Sequence, residues 1–234
     1  MSEHVIVVLP NPDWIQLANV HRKILNHGGS KVYTTTTVAS ANLSSLIPKV
    51  RKIHVVGHGS STSLSGVATN VFAKALKDGG MPDGVQIRLD TCSSGEILNS
   101  GSNITALLLL ELRNQHGYKN LIAQGTTGAS ITGWAQKRGV VIGNMKEYVV
   151  IIQKTLMIAH KGSIDQANIV IQGWTETKSS DEIKLLALGV FNHVEQFFKD
   201  FYTAITDVSN YYNVDILYDR NKVQKNDYKT GYQI

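Results

Sequence analysis

Short strand-forming runs, the first of them almost continuously apolar, alternate along this chain with segments of helical spacing, and that alternation restricts the fold more than any other feature. Residues 4–9 read HVIVVL and are followed by Pro10, Pro12 and Asp13. Residues 53–56 read IHVV and stop at Gly57, and residues 85–89 read VQIRL and stop at Asp90-Thr91-Cys92. A strand that is apolar along its whole length must be covered on both faces, as it is in a parallel sheet flanked by helices. Two further β-rich runs, residues 31–37 and 120–124, bring the predicted strands to five.

The intervening segments carry the helical period. Residues 14–26 place Trp14, Leu17, Ala18, Val20, Ile24 and Leu25 at that spacing, with Asp13 as the candidate N-cap and Gly28-Gly29 as the stop. Residues 40–50 carry Leu43, Leu46 and Ile47 in a helix shortened by Pro48. Residues 67–77, with Val71, Phe72, Ala75 and Leu76 on one face, and the leucine-rich residues 103–115 predict two more helices. The βαβαβαβαβ order predicts an α/β fold, a three-layer α/β/α sandwich on a mainly parallel sheet.

Beyond Gly125 the pattern changes. Residues 131–144, with Gly133, Trp134, Lys137, Arg138 and Gly139, read as a β-hairpin flap. Residues 147–153 and 168–171 read as strands, although their pattern also admits helix. Residues 181–206 predict a long amphipathic helix on Leu185, Leu188, Val190, Val194, Phe197, Phe198 and Phe201. From Asp207 onward the chain reads as a loosely held polar tail. The expected organisation is a core with its flap over residues 1–145 and a C-terminal part, residues 146–234, packed on that core.

Composition closes off several functions. A chain of 234 residues that is 42% hydrophobic and 18% charged can bury a sizeable core and does not resemble a disordered one. One cysteine excludes an intrachain disulfide framework and any multi-cysteine metal site. The net charge of +5 is spread along the chain, with its densest cluster at Arg220, Lys222, Lys225 and Lys229. That spread predicts a solvated surface and no specific nucleic-acid face, and leaves an anionic small ligand open. The longest apolar run, residues 106–110, is far short of a membrane span. The first residues lack the basic region and apolar length of a signal peptide. The expectation is a protein that works in a cytosol, either made there or delivered to a host by a specialised secretion system.

Ligands of parallel α/β sheets collect beyond the carboxyl ends of the strands. Two reactive side chains stand at such ends: His58 in KIHVVGHGS (residues 52–60) and Cys92 in VQIRLDTCSSG (residues 85–95). A thiol becomes a good nucleophile when a base ionises it, and histidine is the usual base near neutral pH. The small residues Ser93, Ser94 and Gly95 let the backbone turn sharply behind Cys92. Gly59 leaves its N–H approachable, so Gly59 and Cys92 offer two backbone donors to an oxyanion, each worth on the order of 3 kcal/mol in acyl transfer. Taken singly these signals are ordinary, since a lone strand-end cysteine is commonly an inert thiol. Their order along the chain makes them informative. His54 lies inside its strand and is expected to face a packed layer, and His116 is expected on the surface. The spacing of a serine nucleophile elbow and the lysine of a phosphate loop are both absent.

The VVGHG and IRLDTCSSG blocks resemble the paired signatures of the caspase-like (clan CD) cysteine peptidases, in which one hydrophobic strand ends in His-Gly and a second ends in the catalytic cysteine. The Cys-Ser-Ser-Gly run is similar to separase. The layout from GHGSSTSLSG through FAKALKDGG to DTC, with the later GWAQKRG, is similar to the autoprocessing cysteine protease domains of bacterial toxins. The resemblance spans residues 52–143 and lacks the caspase pentapeptide around the nucleophile.

The resemblance implies a cysteine endopeptidase acting on a protein or peptide substrate through a Cys-His dyad. Cys92 is the implied nucleophile and His58 the general acid/base, with the Gly59 and Cys92 N–H groups at the oxyanion and no third member assigned. Asp90 matches a position that selects basic P1 residues in the clostripain and metacaspase branches. The toxin domains lack an acid there and prefer leucine, and Asp90 reads equally well as a strand-end cap. The toxin domains are activated by inositol hexakisphosphate under the flap, in a region comparable to Lys137, Arg138, Lys146 and Lys154. Metacaspase-like branches use calcium, for which no compact acidic cluster is evident in the sequence. No cofactor and no metal are implied for the chemistry. The rival reading is a non-catalytic caspase-like module that binds a partner through its flap and C-terminal helix.

Overall fold

Five strands run parallel in the structure, a computed structural model that describes residues 3–92, 94, 103–126, 129–132, 138–141, 145–212, 217–218 and 229–233. They are β1 (His4–Val8), β2 (Lys31–Thr34), β3 (Lys52–Val56), β4 (Gln86–Asp90) and β5 (Ile122–Thr126), and they lie in the order β2-β1-β3-β4-β5. The apolar runs are divided between two faces by the two-residue period of a strand. Val5, Val7, Ile53, Val55, Ile87 and Leu89 face a core shared with Phe72 and Leu76 of α2 (Thr69–Asp78) and Leu108 and Leu112 of α3 (Ile104–His116). Ile6, Val8, Val32 and Val56 face the opposite way, onto Val20 of α1 (Trp14–Asn26) and Ile183 and Ala187 of a long C-terminal helix. Each fully buried side chain of this kind contributes about 1.5–3 kcal/mol, so both faces demand cover.

The C-terminal helices add a further layer around α1. These are α4 (Met145–Ala159), α5 (Lys161–Ile171) and the 33-residue α6 (Ser180–Tyr212). Val190, Val194, Phe197, Phe198 and Phe201 of α6 form a core with Trp14 and Leu17 of α1, Val149 of α4, and Ile164 and Ala167 of α5. Trp14 meets Phe197 edge to face, with centroids 4.8 Å apart. Five of the seven expected stripe residues are buried there, and toward the start of the helix Ile183 and Ala187 are buried in place of Leu185, 70% exposed, and Leu188, 40% exposed.

Several expectations are corrected here. Residues 147–153 and 168–171 are helical, within α4 and α5. Their β-branched residues suit strands by composition, but Val149 and Ile164 are buried while Val150, Ile151 and Ile169 are exposed, so packing on α6 decides the conformation. Residues 40–50 form no α-helix. Two short 3₁₀ turns, Thr37–Ser40 and Leu43–Ser45, flank Asn42, whose φ of 48° is left-handed and breaks any longer helix. On α2, Ala73 is buried and Val71 is 59% exposed.

The hairpin expected near residues 131–144 appears as β6 (Ala129–Thr132) paired antiparallel with β7 (Arg138–Val141). Gly133, Trp134 and Lys137 lie outside the described residues. The polar tail is not simply loose. It supplies β8 (Leu217–Tyr218) to β7 and β9 (Lys229–Gln233) antiparallel to β5. The outer edge of β5 offers unpaired backbone groups that a strand of any side-chain composition satisfies. Among the described residues no helix is long and apolar enough to cross a membrane.

Candidate active site

The sheet order reverses direction between β1 and β3, the place where ligands of such sheets bind. Val8 pairs with Val56 across β1 and β3, and Val56 pairs with Asp90 across β3 and β4. His58 stands two residues past Val56 and Cys92 two residues past Asp90. Neighbouring strands are spaced about 4.8 Å apart, so the two residues leave the same sheet edge side by side. Two glycines make this crowding possible. A Cβ on Gly57 would lie 2.5 Å from Leu9 Cβ, and one on Gly59 would lie 2.6 Å from Thr91 Cβ. Gly59 is thereby held against the residue that precedes Cys92.

His58 is fixed by the N-terminus of α1. Asp13 and Gln16 form a capping box: Asp13 Oδ1 accepts from the N–H groups of Ile15 (2.7 Å) and Gln16 (3.1 Å), and Gln16 Oε1 accepts from Asp13 N–H (2.9 Å). The remaining atoms of the box reach the imidazole. His58 Nε2 lies 3.1 Å from Asp13 Oδ2, and His58 Nδ1 lies 3.2 Å from Gln16 Nε2. An amide nitrogen only donates, so Nδ1 accepts and Nε2–H donates to the carboxylate. The His58 side chain is 57% exposed, yet both ring nitrogens are engaged by the cap. Asp13 is therefore more than the helix cap its sequence position suggested. The available signal was a D-x-x-Q capping box directly after a strand that ends at the ligand edge.

Cys92 is exposed and forms no disulfide. The turn that presents it is tied down on both sides. The Thr126 hydroxyl donates to Thr91 O. Buried Ser94 accepts at its carbonyl from the Thr105 hydroxyl (2.7 Å), and its Oγ accepts from Thr126 N–H (3.2 Å). Ile104 N–H donates to Ser61 O at 2.8 Å, which joins the start of α3 to the loop after His58. Thr91, Ser94, Thr105 and Thr126 thus support the site, a role that residue type alone did not announce. Ser93 and Gly95 lie outside the described residues.

Asp90 is engaged elsewhere. Its side chain is 3% exposed, with Oδ2 2.9 Å from Lys23 Nζ and 3.1 Å from His54 Nδ1, and Oδ1 2.9 Å from Arg88 Nε. Strand alternation turns His54, Arg88 and Asp90 toward α1, and His54 is buried in that packed layer as expected. A basic P1 side chain could reach this carboxylate only by displacing Lys23 or Arg88, so Asp90 acts as an internal counter-ion. Of the basic residues expected under the flap, Arg138 opens β7 opposite Thr132 and Lys154 is exposed on α4, while Lys137 lies outside the described residues. Compared with protein-family models, with curated proteins and with solved structures, the chain matches none.

Proposed function

We propose that the chain is a caspase-like cysteine endopeptidase with Cys92 as nucleophile and His58 as general acid/base. The observation that carries this reading is the exit of both residues from neighbouring parallel strands, each two positions past the paired Val56 and Asp90. A parallel sheet covered by helices on both faces, with a paired β6/β7 hairpin, agrees with the layout the resemblance implies. In the reaction, His58 takes the thiol proton and Cys92 Sγ attacks the scissile carbonyl. The oxyanion accepts hydrogen bonds from the backbone N–H groups of Gly59 and Cys92. The imidazolium then gives its proton to the leaving amine as the C–N bond breaks. Water deprotonated by His58 cleaves the thioester and restores the thiol.

Asp13 serves as the positioning residue, orienting the ring through Nε2 and stabilising the imidazolium. The general-base step needs Nδ1, which Gln16 occupies. That amide contact is neutral and weaker than the charge-assisted one to Asp13, so it is the one to yield when the ring turns toward the thiol. Asp90, already paired with Lys23, His54 and Arg88, is given no part in P1 choice.

One observation favours the rival reading of a non-catalytic binding module: both nitrogens of His58 are held by the α1 cap. Alkylation by iodoacetamide separates the two. Rapid modification of Cys92 that slows in His58→Ala supports the peptidase, and a rate unaffected by that substitution supports the module. The decisive assay is a peptide-library cleavage profile of wild type and Cys92→Ala, with and without calcium or inositol phosphates. Cleavage that persists in Cys92→Ala, or none by wild type under any of these conditions, overturns the assignment.

A further inference from the structure

At the other end of the sheet three histidines converge from three elements. His4 opens β1, His27 caps the C-terminus of α1, and His54 lies in the middle of β3. One ring nitrogen of each lies within 4.8 Å of those of the other two. The rings stack, with centroids 3.9 Å apart for His4 and His27, 4.9 Å for His27 and His54, and 5.2 Å for His4 and His54. Three stacked imidazoles are a poor arrangement for cations and a good one for neutral rings with available lone pairs.

The arrangement around His54 is the second observation. Its Nδ1 lies 3.1 Å from Asp90 Oδ2 and 3.4 Å from Lys23 Nζ. The closer partner is a carboxylate, so the ring proton sits on Nδ1 and Nε2 is left as an acceptor, 2.9 Å from His4 Nδ1. A carboxylate that fixes the tautomer of a histidine from behind is the arrangement that orients metal-ligating imidazoles. Burial pushes His54 well below the usual imidazole range, and Lys23 and Arg88 push it the same way. His27 is lowered to about 4, chiefly by burial, and His4 is lowered by burial and by Lys52. With His54 Nε2 as the acceptor, His4 Nδ1–H donates to it, so the His4 ring must turn for both to face one ion.

We propose that His4, His27 and His54 form a transition-metal site, with Asp90 as the residue that orients His54. The donor set is all imidazole, which suits zinc, copper or nickel and not calcium or magnesium. Lys23, Lys52 and Arg88 surround the cluster, so donor strength and not net charge would hold the ion. A tetrahedral ion with bonds near 2.0–2.1 Å needs its nitrogens about 3.3 Å apart. His54 is fixed in the sheet, while His4 and His27 are only partly buried and splay from their stack to meet that spacing. His4 lies at the amino end of β1 and His54 in the middle of β3, and three protein donors leave a coordination position for water or an external ligand.

The test uses untagged, metal-free full-length protein carrying Cys92→Ala, so that the thiol cannot compete. Zn²⁺ alone is titrated by calorimetry and the thermal midpoint is followed with and without Zn²⁺. The expected result is one equivalent bound per chain, weakened about tenfold or more in both His4→Gln and His27→Gln, with Zn²⁺ raising the midpoint of the parent and not of these variants. Circular dichroism establishes that each variant is folded. His58→Ala should bind as the parent does. Absence of saturable binding at one equivalent overturns the proposal, as does an affinity in His4→Gln and His27→Gln equal to that of the parent.

Discussion

The two ends of one sheet handle histidine in opposite ways. At the carboxyl end His58 is more than half exposed and is held by a helix cap made of Asp13 and Gln16. At the amino end and in the sheet interior, His54 is buried and packed into a network with Lys23, Arg88 and Asp90. The first arrangement keeps an imidazole accessible and adjustable, as proton transfer requires. The second fixes its tautomer and withholds a proton, as a structural or metal-binding role requires. Both draw on α1, which presents its N-cap to one end and Lys23 and His27 to the other.

The sharpest break between the two ends is in activity against stability. Cys92→Ala should abolish peptide cleavage, a loss of about a thousandfold or more, while the exposed position keeps unfolding free energy within about 0.5 kcal/mol. A large change in stability would mean that the thiol is part of the packing. Asp90→Asn should do the reverse. It leaves Lys23 and Arg88 without their counter-ion inside the fold, at a cost of about 3–5 kcal/mol read by urea denaturation. A loss under about 1 kcal/mol would show that the network is not what fixes the interior.

The same contrast explains what could be read from the sequence. The five strands, α1 to α3 and the long helix follow from local period, and Cys92 and His58 stand where strands break, so all were legible. Strand 229–233 was not, because a strand that only completes an edge needs no apolar alternation. Residues 147–153 and 168–171 stand between strand and helix by sequence because their β-branched residues are sorted by contact with α6, which local pattern cannot see. The partnership of Asp13 with His58 spans two elements, and the convergence of His4, His27 and His54 spans three. Asp90 read equally as a selector of basic P1 residues, by resemblance, and as a strand-end cap; strand alternation turns it inward, onto Lys23, His54 and Arg88.

Asp13 combines a cap and a contact with the imidazole, and two substitutions separate these roles. Asp13→Ser retains a good N-cap, so stability should change by only a few tenths of a kcal/mol. It removes the carboxylate from His58, and kcat should fall by about 10–100-fold with KM little changed. Asp13→Ala should lose the same activity and about 1 kcal/mol of stability besides. If Asp13→Ser cleaves as fast as wild type, the contact with Nε2 is structural and the peptidase reading rests on Cys92 and His58 alone.

The smallest expected effect concerns acid. In the unfolded chain the imidazoles of His4, His27 and His54 titrate near 6.5. In the fold all three are lowered, His27 to about 4. Below about pH 6.5 the unfolded chain therefore binds more protons, and stability falls as the pH drops toward 4. Glu3 opposes this for His4, whereas Lys23, Lys52 and Arg88 reinforce it across the cluster, and Asp90 lies against His54. His27 is partly exposed, so after solvent screening its share is about 1 kcal/mol, or roughly 2–4 °C in the unfolding midpoint. His27→Gln should lose less stability than wild type between pH 7.5 and 4.5, and parallel curves would remove the histidine cluster as the cause. Adding Zn²⁺ should steepen the wild-type curve in the same window, because protons and metal compete for the same lone pairs.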